Sequence, residues 1–170
     1  MEPQTVDIKD ISKLVIYYLN NNGISVTPLK LQKLLYYIQA WHLVFFDKHP
    51  FFEDKPEAWV NGPVYTAVYD EYKSQKMKNE AITLEIPEGK SSQAMADECF
   101  QKIGMDAEQQ KYLNAVLKKY GFMASEKLVM LTHTEKPWND AREGLRITEK
   151  GNNYITHESM YNYYSSRGKK

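Results

Sequence analysis

The stretch Thr27-Pro28-Leu29-Lys30-Leu31-Gln32-Lys33-Leu34-Leu35-Tyr36-Tyr37-Ile38-Gln39-Ala40-Trp41-His42-Leu43-Val44-Phe45-Phe46 decides the fold. Thr27 suits a helix N-cap and Pro28 the first helical position. Beyond them, apolar residues fall on nearly every face of a 3.6-residue period. A helix that is apolar all round is buried all round. The stretch therefore predicts a central helix over about 27–46, with the other elements packed about it. Its polar members, above all Gln32, Gln39 and His42, then need hydrogen-bond partners inside. No apolar run approaches the roughly 18–20 residues of a membrane span, and the longest candidate, Leu29 to Phe46, is interrupted by Lys30, Gln32, Lys33, Gln39 and His42.

Working outward, Ile11, Leu14, Val15, Tyr18 and Leu19 mark an earlier amphipathic helix. Asp7 or Asp10 can cap it, and Gly23 suits its left-handed exit, with Ile24 folding back on Leu19. After the central helix, Ala58-Trp59-Val60 reads as a short strand and Asn61-Gly62-Pro63 as turn chemistry. Pro63 is expected to start a third helix that fades in Lys73–Lys78. Ala81–Ile86 alternates like a strand. From Glu85 to Gln110 the chain carries six acidic and two basic residues. Periodicity is weakest there, so this is the expected flexible segment. Asp106 and Gln109 form a capping-box pair ahead of Leu113, Val116, Leu117 and Tyr120. Gly121 is expected to close that helix, with Phe122 packing on Leu117. A further helix starts near Ser125 with Leu128, Val129 and Leu131 inward. Thr134 is expected to cap a short helix through Pro137 that Gly144 ends. Leu145–Thr148 reads as extended. Thr156 caps a last helix, and 165–170 is expected to be a flexible tail. The fold class is mainly α, a single compact helical domain over 1–170 with two or three short β-strands.

At 170 residues a core forms without disulfides or structural metal. Lys plus Arg is 22 and Asp plus Glu is 22, so the chain lacks the positive excess of a general nucleic-acid or membrane-surface binder. The lone Cys99, with no apolar leader and no membrane span, gives a cytoplasmic expectation.

The eight glycines are dispersed, so no phosphate loop or dinucleotide fingerprint exists. Four histidines and one cysteine show no clustered metal-ligand spacing, so no metal and no cofactor are expected. The helices meeting at Gly121 offer only Lys127 for a recognition helix, offset by Glu126, and nucleic acid is set aside. His133 with Glu135 could serve a hydrolase, but no nucleophile accompanies them in sequence, and a helix-end histidine bonded to backbone is the simpler account. Tyr161, Tyr163 and Tyr164 cannot all face one core, so they are candidate partner-binding anchors.

Three segments together resemble a known family. They are Lys30 to Leu43, then Glu57-Ala58-Trp59-Val60-Asn61-Gly62-Pro63-Val64 through Lys73, and Leu131-Thr132-His133-Thr134-Glu135-Lys136-Pro137-Trp138-Asn139-Asp140-Ala141-Arg142. These are similar to the Panacea, or SocA-like antitoxin, domain, often labelled phage-associated. The likeness runs from about Ile11 to Tyr164, with no motif between Glu88 and Met105. It implies a helical, non-enzymatic antitoxin of a toxin–antitoxin system that neutralises a cognate toxin by direct binding. One branch of the family delivers its toxin to a ClpXP-type protease instead. Trp59, Gly62, Pro63 and Trp138 read as structural members of the motifs. Gln32, His42, His133, Glu135 and Arg142 are expected to form a polar network, with a pocket as the competing account.

Overall fold

The computed structural model describes residues 2–73 and 80–168. Eight helices and one hairpin appear among them: α1 (Ile8–Asn21), α2 (Pro28–Phe45), β1 (Glu57–Trp59), β2 (Gly62–Val64), α3 (Thr66–Tyr72), α4 (Ser92–Ile103), α5 (Ala107–Tyr120), α6 (Ser125–Thr134), α7 (Lys136–Ala141) and α8 (His157–Ser165). The fold is mainly helical, as expected. The expected fading of the third helix past Lys73 falls outside the described residues, as do the last two residues of the tail.

α2 is the axis of the molecule. Every residue from Lys30 to Ala40 is buried. α1, α3, α5, α6, α8 and β2 all pack against it. The all-round apolar pattern has this consequence, because each face meets a different element. Thr27 caps its start, its hydroxyl accepting from the Lys30 amide at 3.1 Å. α1 is capped by Asp7 and leaves through Gly23 at φ +75°, with the Ile24 amide bonded to the Leu19 carbonyl at 2.9 Å. The Asp106–Gln109 capping box of α5 is present in both directions. No described helix is long and apolar enough to cross a membrane.

Several boundaries differ from the sequence reading. Pro63 lies in β2 and does not open a helix. The two-residue turn Val60-Asn61 folds Gly62–Val64 back antiparallel on Glu57–Trp59, pairing Pro63 with Ala58. α3 starts three residues later. Ala81–Ile86 forms no strand, because no partner strand is beside it. Its alternation instead seats Ile82 in the core, with one backbone bond from the Ile82 amide to Val26 at 2.8 Å. Leu145–Thr148 is turn. The extended segment lies later, where Asn153–Ile155 runs along β1 and the Ala58 amide donates to the Asn153 carbonyl at 2.8 Å.

The acidic segment is not irregular. It contains α4, capped by Ser91 and closed by Gly104 at φ +70°, and it packs on α1. Thr134 ends α6 rather than capping α7, its hydroxyl turned back to the Leu131 carbonyl. The N-cap of α7 is Glu135, whose carboxylate is engaged elsewhere. α7 ends at Ala141, ahead of Gly144. Gly121 keeps right-handed backbone. A Cβ there would meet the Leu117 oxygen at 2.5 Å and Leu19 Cδ2 at 2.7 Å, so close approach is what requires glycine. Phe122 does not fold back on Leu117 but is 57% exposed.

Candidate functional site

The β1–β2 hairpin is held from two sides by side chains that come from distant parts of the chain. From α7 and its exit, Arg142 Nη1 donates to the Ala58 carbonyl at 2.8 Å and Trp138 Nε1 to the Trp59 carbonyl at 2.8 Å. Two consecutive carbonyls of β1 are thus taken by one short segment. From α2, Lys33 Nζ donates to the Pro63 carbonyl at 2.9 Å. Gln32 closes a two-way pair, its Nε2 donating to the Tyr65 carbonyl at 3.1 Å and its Oε1 accepting from the Tyr65 amide at 2.7 Å.

The hairpin lies very close to its clamp. Gly62 has φ +109°, and a Cβ there would lie 2.5 Å from Lys33 Cε and 2.9 Å from Thr132 Oγ1. Trp138 is fixed between two partners. The His133 ring stacks on it at 4.0 Å between centroids, and the Arg142 guanidinium lies 5.1 Å from its centre. Burial lowers the His133 pKa, and the positive charge of Lys33 lowers it further. The imidazole is therefore neutral above its depressed pKa, which suits a ring stacked on Trp138 with the charges of Lys33 and Arg142 nearby. Its Nε2 is buried without a hydrogen-bond partner among the described residues.

The outer face of the hairpin walls a groove of about 730 Å³, lined mainly by apolar side chains. Leu29, Val64, Val68 and Tyr72 contribute, with Trp59 and Tyr69 edge to face at 5.0 Å. Trp59 Nε1 is occupied by Glu57 Oε1 at 2.9 Å, so the indole offers the groove its apolar surface. Asn61, Asn152 and Lys150 supply the polar margin. A volume of this size matches ligand-scale recognition pockets.

The polar candidates fall into three separate places. Gln32, His133 and Arg142 belong to the clamp. Glu135 turns the other way, into a cage of tyrosines. Its carboxylate accepts from Tyr37 Oη at 2.5 Å and from Tyr164 Oη at 2.8 Å, and Tyr36 Oη lies 3.1 Å from Tyr164 Oη. Burial raises the Glu135 pKa while the tyrosine hydroxyls oppose the rise. His42 lies in a third environment, stacked on Phe46 and Phe51 at 4.3 and 4.6 Å, with Nδ1 bonded to the His49 carbonyl at 2.7 Å. Burial lowers its pKa to about 4. His133 and Glu135 thus face different partners, and no His, Cys, Asp or Glu group able to hold a metal occurs among the described residues. No histidine lines the groove.

Of the three terminal tyrosines, Tyr164 is core, 1% exposed, and so is not an exposed anchor. Tyr161 and Tyr163 are half-buried on opposite flanks of the Met160–Tyr164 stripe. Lys48 lies over Tyr161 at 5.1 Å and Arg167 over Tyr163 at 3.6 Å. Lys33 was not among the candidates from sequence. A lysine inside an otherwise buried helical face was the available signal.

The family model for the antitoxin SocA-like, Panacea domain matches residues 31–139. The chain belongs to this family. It is 29% identical over 162 residues to Antitoxin SocA of Caulobacter vibrioides (strain NA1000 / CB15N), an alignment covering 88% of this chain and 81% of that protein. No solved structure matches. Membership of the Panacea family supports an antitoxin role. Within the matched Panacea span lie Gln32, Lys33, the whole hairpin, His133 and Trp138. Arg142, Tyr161, Tyr163 and Tyr164 lie beyond it.

Proposed function

We propose that this Panacea-domain protein neutralises a partner toxin by direct protein–protein binding, without catalysis, and that the toxin docks in the groove beside the hairpin. One observation carries the reading. Four side chains from α2, α7 and the exit of α7 hold the hairpin in one shape next to an open apolar groove. Pre-organisation of a wall lowers the ordering cost of binding. Gln32 and Arg142 of the three motifs are used in that support, and His133 and Glu135 do not converge on one cavity. Tyr161 and Tyr163 are candidate additional contacts.

The test is to isolate the tagged protein from its native cells and identify what co-purifies. Each co-purifying protein is then expressed alone and together with this chain. A protein that arrests growth alone and is neutralised by this chain is the expected result, with Trp59→Ala abolishing the rescue while Tm is preserved. Rescue that survives Trp59→Ala and Tyr69→Ala places the contact elsewhere. Rescue that depends on a ClpXP-type protease supports the adaptor alternative. A chain that neutralises nothing overturns the antitoxin reading.

A further inference from the structure

We infer that the toxin segment at the groove is an extended strand that pairs with the backbone of residues 152–154, an inference that rests on the toxin-binding reading above. The small sheet has two outer edges, and they differ. On the β2 side the edge is closed. Pro63 has no N–H, and its carbonyl is taken by Lys33 Nζ at 2.9 Å. Gln32 takes both the amide and the carbonyl of Tyr65.

On the other side, Asn153–Ile155 runs along β1. The Ala58 amide donates to the Asn153 carbonyl at 2.8 Å, and the Ile155 amide to the Pro56 carbonyl at 2.8 Å. These two bonds flank the antiparallel bridge between Glu57 and Tyr154. A residue flanked in this way turns its own N–H and C=O away from the strand it faces. The Tyr154 amide and carbonyl therefore point outward, and neither has a partner among the described residues. The amide and carbonyl of Asn152 have none there either. Residues 152–154 are all exposed, Tyr154 by 59%. Sheet edges are commonly blunted by charge or proline. Gly151-Asn152-Asn153-Tyr154-Ile155 carries neither.

This open edge is continuous with the groove. Residues opposed across antiparallel strands share a face of the sheet. Glu57 opposes Val64 on one side and Tyr154 on the other. Glu57, Trp59, Val64 and Asn152 all line the groove, so the Tyr154 ring prolongs its wall toward the edge. A strand added about 4.8 Å beyond residues 152–154 would place every second side chain on that same face. The occupant is therefore an extended segment with apolar residues at alternate positions, its main chain held by the edge. A second copy of this chain, paired edge to edge, would share only residues 152–154 and leave both grooves empty. Such a contact falls short of the roughly 1,200 Å² that stable interfaces bury.

The experiment uses the full chain and the toxin identified by co-purification. Amide exchange at Tyr154, read by NMR, is expected to slow at least about tenfold in the complex, because a hydrogen-bonded amide must open to exchange. Affinity is then compared for Tyr154→Pro and Tyr154→Ala. Both remove the ring, but only proline removes the outward N–H, and neither breaks a backbone bond within the chain. Tyr154→Pro is expected to bind at least about tenfold more weakly than Tyr154→Ala, with Tm as the folding check. If the proline variant does not fold, the exchange measurement on the wild-type chain decides alone. Equal affinities of the two folded variants, or a Tyr154 amide that exchanges in the complex as fast as in the free chain, overturn the inference. They leave the groove reading intact if Trp59→Ala still abolishes binding. Protection of Tyr154 that rises with the concentration of this chain alone assigns the edge to a second copy and also overturns it. A wild-type chain that binds no toxin removes the underlying reading and this inference with it.

Discussion

Gly62 shows how much of the site depends on single atoms. Its φ of +109° disfavours any L side chain, and Lys33 Cε occupies the place of a Cβ. Gly62→Ala is expected to cost at least about 2 kcal/mol, combining backbone strain with displacement of the clamp. Gly23→Ala is the control. It shares a positive φ but has nothing within 4 Å of its Cβ, so it should cost only about 1 kcal/mol. Urea midpoints of the two variants separate strain from collision, and equal losses would show that the contact with Lys33 contributes nothing. Trp138→Phe tests the clamp itself. It keeps a ring beside His133 and removes the donor to the Trp59 carbonyl, so a loss of about 1–2 kcal/mol is expected. Toxin binding should weaken by more than that stability loss explains. A variant that binds normally shows that the hairpin does not need this support.

At the scale of elements, legibility followed the strength of periodicity. α2 was readable because its apolar residues cover every face and its cap is unmistakable. α5 was readable from Asp106 and Gln109. α4 was missed because charge obscured its pattern, although Met95, Ala96, Cys99, Phe100 and Ile103 recur at helical spacing and pack on the core. Its start at Ser91 and its exit at Gly104 follow ordinary capping rules. Ser91→Ala is accordingly expected to cost about 1 kcal/mol, read from thermal unfolding. The site was less legible than the fold. That Gln32, His133 and Arg142 are polar residues in buried motifs can be read from sequence, whereas their common target cannot. Backbone carbonyls carry no sequence signature, and Ala58 and Trp59 accept through atoms that every residue shares. Glu135 and His42 fell into other environments for the same reason, since spacing along α2 and α6 fixes a face but not the partner opposite.

For the whole molecule, buried titratable groups set the response to acid. His42 is 0% exposed and its pKa falls from 6.5 to about 4. The unfolded chain therefore binds the proton first, and the stability this group contributes is full above about pH 6.5 and lost as pH falls toward 4. At 1.36 kcal/mol per unit the loss reaches about 3 kcal/mol. His133 and His157 are shifted in the same direction by burial, so they add to the loss. Glu135 acts oppositely. Its raised pKa means the folded chain holds the proton longer, so its contribution falls as pH rises above the ordinary carboxylate value. His49, whose pKa is raised by its bond to the Phe46 carbonyl, also opposes the loss, but it is solvent-facing, and the buried His42 with His133 and His157 gives a net loss of stability from pH 6.5 down to 4. Urea unfolding at steps across that range should show a falling midpoint. His42→Gln retains polarity without titration, so it should flatten the curve even though it lowers stability at pH 7. Glu135→Gln should steepen the acid loss by removing the opposing group. A wild-type midpoint that stays constant between pH 6.5 and 4 would mean that His42 is hydrated in solution, and the packing of α2 against Phe51 and α5 would then be looser than the rings indicate.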